Sequence, residues 1–264
     1  MSAEEPDRSS AGRASDLWSL ILGVAVVALT GISTLGWLET RQLADRVSRL
    51  EGGAPSSDGA GEGGTVNPAG NLEEQFTRLN ATLGIRDSAY KGDPAAAVVL
   101  VEFSDFECPF CARYFRTAYK RIHDGYVATG KVRYVFRHLP LEDIHPKAFE
   151  AAEVAECSRR QGLFWQMHDR FFLDQRTLKD ANLRAVATSA GAEPNHLDQC
   201  LQGPAREQVL KDLTDAREIG AASTPMFLVG REAQNGVVRV SHAILGARSF
   251  EVFETVLEEV IANR

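Results

Sequence analysis

Two cysteines separated by two residues, in the run Cys108-Pro109-Phe110-Cys111, carry the most specific chemistry in the sequence. They follow an apolar run and open a segment with helical spacing, so the pattern predicts a thiol pair at a helix N-terminus. There the unpaired backbone N–H groups and the positive end of the helix dipole favour a thiolate, best placed at Cys108. Pro109 suits the first helical turn, where a missing N–H costs nothing. A low-pKa thiolate attacks a disulfide and also leaves from one, so the chemistry is thiol–disulfide exchange. A zinc half-site and an inert pair are the competing readings. Zinc needs a second close Cys/His pair; Cys157 and Cys200 stand 43 residues apart, and Cys157 with His168 has the wrong spacing. No metal is therefore expected.

Glu102 is the single acid in the apolar run Ala95 to Phe103, six residues before Cys108. If buried, its carboxyl has a raised pKa and exchanges a proton with Cys111. If it lies at the sheet end, it reaches solvent and does nothing. Asp105 and Glu107, if they stand close to Cys108, oppose a very low thiolate pKa.

These side chains need elements to place them. A helix is expected from Asn71 through Gly84, with Leu72, Phe76, Leu79 and Leu83 on one face. Lys91-Gly92-Asp93-Pro94 reads as a turn. Ala95 to Phe103 reads as a strand buried on both faces. A helix follows from near Cys108 toward Thr129, with Tyr114, Phe115, Ala118 and Ile122 inward, and a second strand over Lys131 to Leu139. Ile144 to Gly220 carries several amphipathic helices. Strand patterns return at Met226 to Val229 and Val237 to Val240, and a last helix runs from Ser249 to Ile261. The order β-α-β, helical block, β-β-α is that of an α/β protein with a mixed sheet. Phe164, Trp165 and Met167 read as core of the helical block. His168 reads as a structural histidine, and His138 as another that could lie near the site.

The first seventy residues differ in kind. Leu17 to Leu38 holds 22 uncharged residues, enough to span a bilayer core. Trp18 and Trp37 bracket it, roughly 28 Å apart along a helix, a separation that suits the two interfacial belts. A cleaved signal peptide is the rival, with Val26-Val27-Ala28 as a weak cleavage site. The arginine flanks (Arg8 and Arg13 against Arg41, Arg46 and Arg49) leave orientation ambiguous. Residues 39–70 then form a short charged helix, with Leu43, Val47 and Leu50 either solvated or a weak dimer seam, and a Gly-rich linker from Gly52 to Gly70. That linker reaches about 25 Å. The expected organisation is a tail (1–16), an anchor (17–38), a stalk and linker (39–70) and a globular domain (71–264). The net charge of −7 excludes a phosphate-reading, nucleic-acid-binding surface. No nicotinamide, flavin or nucleotide motif occurs, so the only redox group expected is the cysteine pair itself.

Four runs together resemble the DsbA-like branch of the thioredoxin superfamily: VVLVEFSDFECPFC (Val98 to Cys111), AECSRRQGLFWQMHDRFF (Ala155 to Phe172), STPMFLVG (Ser223 to Gly230) and LGARSFEVFETVLE (Leu245 to Glu258). The resemblance covers Asp87 to Arg264. It implies a thioredoxin-like α/β fold with a helical insertion over about 141–220, which the single N-terminal transmembrane helix read from residues 17–38 would precede. It also implies that Thr224-Pro225, which unaided reads as an ordinary strand-entry proline, is a cis-proline loop facing the cysteines and holding peptide substrate beside Pro109 and Phe110. The family carries an acid at the position of Glu102. Relatives often pair cysteines in the insertion, which favours a Cys157–Cys200 disulfide over two buried thiols. Phe110 stands where the strongest oxidants of the family have histidine, which puts the strength of oxidation in question.

The expected function is an extracytoplasmic, inner-membrane-anchored thiol:disulfide oxidoreductase, N-terminus inside, that oxidises reduced or misoxidised secreted proteins and is recycled by a membrane thiol partner. The catalytic set is Cys108, Cys111, Glu102 and Pro225. A reductase or isomerase of the same fold is the first alternative, and a non-catalytic peptide-binding or holdase module the second. The chain is expected as a monomer, or as a weak dimer through the juxtamembrane helix.

Overall fold

The structure, a computed structural model, describes residues 75–263. The expected tail, membrane span, stalk and linker lie outside the described residues, among which no helix is long and apolar enough to cross a membrane.

The core is a six-stranded sheet in the order β1-β6-β5-β3-β4-β2. Its strands are β1 (Phe76–Gly84), β2 (Ala89–Lys91), β3 (Val98–Ser104), β4 (Val132–His138), β5 (Met226–Gln234) and β6 (Val237–Leu245). β3 pairs parallel with β4 and antiparallel with β5, so it is central and every one of its residues is buried. That explains its unbroken apolar run: both faces are covered, and alternation has no polar side to mark. Val99, Val101 and Phe103 pack on one face with Leu228 and Val240. Val98 and Leu100 pack on the other with Phe227 and Phe253.

The crossover from β3 to β4 is α1 (Pro109–Tyr114), which runs on through a π-turn (Phe115–Tyr119), one α-turn (Lys120–Ile122) and a second π-turn (His123–Val127). The insertion comprises α2 (Ala148–Arg159), α3 (Phe164–Leu173), α4 (Arg176–Asp180), α5 (Leu183–Ser189), α6 (Pro194–Leu201) and α7 (Pro204–Glu218). α8 (Phe250–Ala262) closes the chain against the sheet.

The segment expected as a helix through Gly84 is instead strand β1, paired antiparallel with β6. Leu79 and Leu83 are four residues apart, a spacing common to the helical period and to alternate strand positions. A bulge between Arg78 and Ala81 hides the alternation further. It leaves Phe76 on the α8 face while Leu79, Ala81 and Leu83 pack on the opposite one. β5 and β6 run longer than their apolar cores suggest because Asn235-Gly236, at φ 57° and 75°, closes them as a tight hairpin. Gly92 occupies the turn after β2 at φ +94°, where a Cβ would lie 2.7 Å from the Val132 carbonyl oxygen.

Candidate active site

The site forms where β3 ends and α1 begins. Cys108 is the N-cap of α1, in extended conformation, and Pro109 takes the first helical turn. Cys108 Sγ–H donates to the Thr224 carbonyl at 3.5 Å. That hydrogen bond sets the Thr224-Pro225 loop against the cysteine pair, and the Thr224-Pro225 peptide bond is cis. Both thiols are free; Cys108 is nearly covered and Cys111 wholly so. Phe110, between them, is half exposed beneath the Arg113 guanidinium.

The two thiols differ sharply in acidity. A hydrogen bond from Cys111 is the largest influence on Cys108, lowering its pKa to about 6 against the opposing effect of burial. The Thr224 hydroxyl and the backbone N–H groups of Cys111 and Phe110 lower it further. These N–H donors are the unpaired groups of a helix start, directed at a sulfur anion. Burial first, then the hydrogen bond to Cys108 and the Cys108 and Glu102 charges, hold Cys111 well above the ordinary thiol range. One thiol is thus an anion near neutral pH and the other a protonated reserve. The Thr224 hydroxyl is buried without a hydrogen-bond partner, which leaves it free to donate to a Cys108 thiolate. Replacing Thr224 by Val is expected to raise the Cys108 pKa by about one unit, read from thiolate ultraviolet absorbance against pH. An unmoved titration would show that this hydroxyl does not serve the anion.

Glu102 is buried on β3, facing α1 rather than solvent. Burial raises its pKa to about 7, held in check by the hydrogen bond from Tyr134 and by the nearby Ser104 hydroxyl. Its Oε1 atom is buried without a partner. Asp105 and Glu107 are turned toward the insertion. Asp105 accepts from the Leu141 N–H at 2.9 Å and pairs with His145 at 2.8 Å, and Glu107 accepts from the Lys147 N–H. The loop leading to Cys108 is thereby tied down.

Cys157 and Cys200 are joined as a disulfide between α2 and α6, within the insertion. His168 is buried among aromatic rings and bonds Asp169 at 2.7 Å. His138 lies with Phe106, Phe136 and Phe164. Burial lowers the pKa of both histidines, which suits neutral rings in an apolar cluster.

Two participants were not singled out from the sequence. Tyr134 on β4 donates to Glu102 Oε2; a tyrosine inside a buried strand needs a partner for its hydroxyl, and that was the available signal. Gln175, between α3 and α4, donates to the Phe106 and Cys108 carbonyls at 2.7 and 3.0 Å. Nothing local in the sequence marks it.

A sheet of this order, an acidic cysteine at a helix start, a cis-proline loop against it and helices inserted between β4 and β5 define a thioredoxin-type dithiol domain. Residues 86–242 match the family model described as Thioredoxin, and the chain belongs to that family. Among solved structures, the fold is similar to α-DsbA1 of Wolbachia pipientis, at TM-score 0.56 and 21% identity, covering 69% of this chain and 94% of that one. It is also similar to oxidised BdbD of Bacillus subtilis, at TM-score 0.57 and 18% identity, covering 70% and 98%. Among curated proteins, Na(+)/H(+) antiporter NhaA 3 of Salinispora tropica is 34% identical over 182 residues, which is 64% of this chain and 27% of the antiporter. The chain therefore spans about a quarter of the length of that relative.

Proposed function

We propose that the protein is a thiol:disulfide oxidoreductase working chiefly as an oxidase of secreted proteins. The observation that carries this reading is the unequal thiol pair: an acidic Cys108 against the cis Thr224-Pro225 loop, with Cys111 buried and protonated behind it. A stabilised thiolate favours the reduced form, and a pair whose reduced form is favoured takes electrons from clients. Client thiolate attacks Cys108 Sγ of the disulfide form and releases Cys111, which takes up a proton. The client's second thiolate then attacks its own mixed-disulfide sulfur, and Cys108 leaves as a thiolate. Pro109 and Phe110 flank the attacked sulfur, and the Thr224-Pro225 loop holds the client backbone. Glu102 exchanges the Cys111 proton.

The Cys157–Cys200 disulfide suits an oxidising compartment. On that reading residues 17–38 anchor the protein in the inner membrane with the domain outside, and a membrane thiol partner reoxidises it. The deciding experiment is the redox equilibrium of Cys108 and Cys111 against glutathione. A potential between about −120 and −200 mV is expected; a value near −270 mV would return the reductase reading.

A further inference from the structure

We propose that Tyr134 is a positioning residue for proton transfer: it holds Glu102 through Oε2 and leaves Oε1 as the atom that takes the proton of Cys111. This rests on the reading of Glu102 as the proton acceptor and adds the group that orients it. β3 and β4 are parallel neighbours with Leu100 opposite Tyr134 and Glu102 opposite Phe136. The Tyr134 hydroxyl reaches the carboxylate from one residue pair back along the sheet. Both side chains are fully buried, and Tyr134 donates to Oε2. Oε1 is enclosed with no protein donor. A carboxylate fixed at one oxygen has one orientation, and its free oxygen has one job left.

The groups around Glu102 permit this. α1 and its continuation present Cys108, Cys111, Tyr114 and Tyr119 as the titratable groups that act on it or feel its charge. β4 presents Tyr134, and its own strand presents Ser104. β5 and α8 present the Phe227 and Phe253 rings against Tyr114. Lys91 on β2 is engaged with the Tyr119 hydroxyl at 2.9 Å, and Asp169 of α3 acts on Tyr119 and Lys91. Burial keeps the Tyr134 phenol far above its ordinary pKa, so it stays a donor and never competes for the proton. In the step itself, the Cys111 S–H proton passes to Glu102 Oε1. The Cys111 thiolate attacks Cys108 Sγ of the mixed disulfide formed with a reoxidising disulfide, the Cys108–partner S–S bond breaks, and the partner sulfur leaves as a thiolate. The cysteine pair is oxidised and the reoxidant's sulfur reduced, which is the recharging half of the oxidase cycle.

The step is visible when the reduced protein reacts with 5,5′-dithiobis(2-nitrobenzoate): the first thionitrobenzoate marks attack by Cys108, the second marks resolution by Cys111. In the wild-type protein the second release is expected to rise with pH to a plateau, with its inflection at about 7. In Tyr134→Phe the carboxylate loses its donor, so the inflection moves about one unit alkaline and release at about pH 6 slows about tenfold. Glu102→Gln has no inflection, and adding Tyr134→Phe to it changes nothing more. Tyr119→Phe, which removes a hydroxyl held by Lys91, leaves the inflection in place. Should the phenylalanine protein fail to fold, 3-fluorotyrosine at position 134, a stronger donor, moves the inflection to the acid side. A Tyr134→Phe profile lowered at every pH with its inflection unmoved would overturn the proposal, as would an equal shift in Tyr119→Phe. An inflection that survives in Glu102→Gln would instead overturn the reading of Glu102 itself.

Discussion

A Cys108→Ser protein is expected to show no disulfide exchange above the enzyme-free rate, in insulin reduction or in oxidation of reduced ribonuclease, while Cys111→Ser accumulates mixed disulfides. The asymmetry follows from where each sulfur sits. Cys108 is the helix N-cap, retains slight exposure and borders the cis-proline loop. Cys111 lies one turn in, has no exposed surface and packs with Phe106 and Phe172. No client sulfur reaches Cys111 directly, so nothing substitutes for Cys108. Without Cys111, Cys108 still attacks, but its mixed disulfide has no internal resolving thiol. Turnover by Cys108→Ser at the wild-type rate would end the oxidoreductase reading.

The same thiolate makes stability pH-dependent in the reduced protein. The Cys108 pKa is about 6 in the folded state and near 9 unfolded, a depressed value. Its contribution is therefore fully present above about pH 9 and is lost as pH falls through about 6. Glu102, raised from 4.5 to about 7, acts oppositely: its contribution is present below about 4.5 and is lost as pH rises through 7. Oxidation removes the first effect, together with the Cys108 charge that adds to the rise in Glu102. The folding stability contributed by the Cys108 thiolate, present only in the reduced protein, accordingly grows between pH 6 and 9.

The chemistry of the pair was legible because it is local. Cys108, Pro109 and Cys111 fall within one helical turn, and a helix start acts on its own first residues. The buried strand Val98 to Phe103 was legible for the same reason, since its composition alone reports burial on both faces. Contacts across the sheet were not. Tyr134 lies 32 residues from Glu102 and meets it only once β3 and β4 pair. Gln175 reaches Cys108 from 67 residues away. The leucine spacing of β1 satisfies both periods, a bulge interrupts its alternation, and only pairing with the distant β6 decides for a strand. The resemblance to a family brought in what spacing lacked for Thr224-Pro225, where an X-Pro pair alone argues for the trans bond.

Asp212→Ala is expected to destabilise the domain by about 3–5 kcal/mol. The cause is a buried cation that the substitution strands. Arg137, on the β4 run KVRYVFRHL that reads as ordinary strand alternation, has no exposed surface. Its Nε donates to Asp212 at 2.7 Å, its other nitrogens engage Asp215 and the Gly84 carbonyl, and its guanidinium lies 5.5 Å from the Phe103 ring centre. Asp212 is itself buried and also accepts from the His138 N–H at 2.8 Å and from Gln208 at 2.9 Å. One carboxylate thus joins α7 of the insertion to the end of β4. Removing it leaves the guanidinium with half its counter-charge and a backbone N–H with no acceptor, both away from water. Replacing both partners, as Arg137→Met with Asp212→Leu, is expected to recover much of the loss, because well-packed apolar groups need no pairing. Leu139 N donates to the Ser104 carbonyl at 2.8 Å, so the end of β4 also braces the strand end that leads to Cys108. Denaturant unfolding of the oxidised proteins measures all three, and wild-type stability in Asp212→Ala would mean that α7 is held to the sheet by its apolar contacts alone.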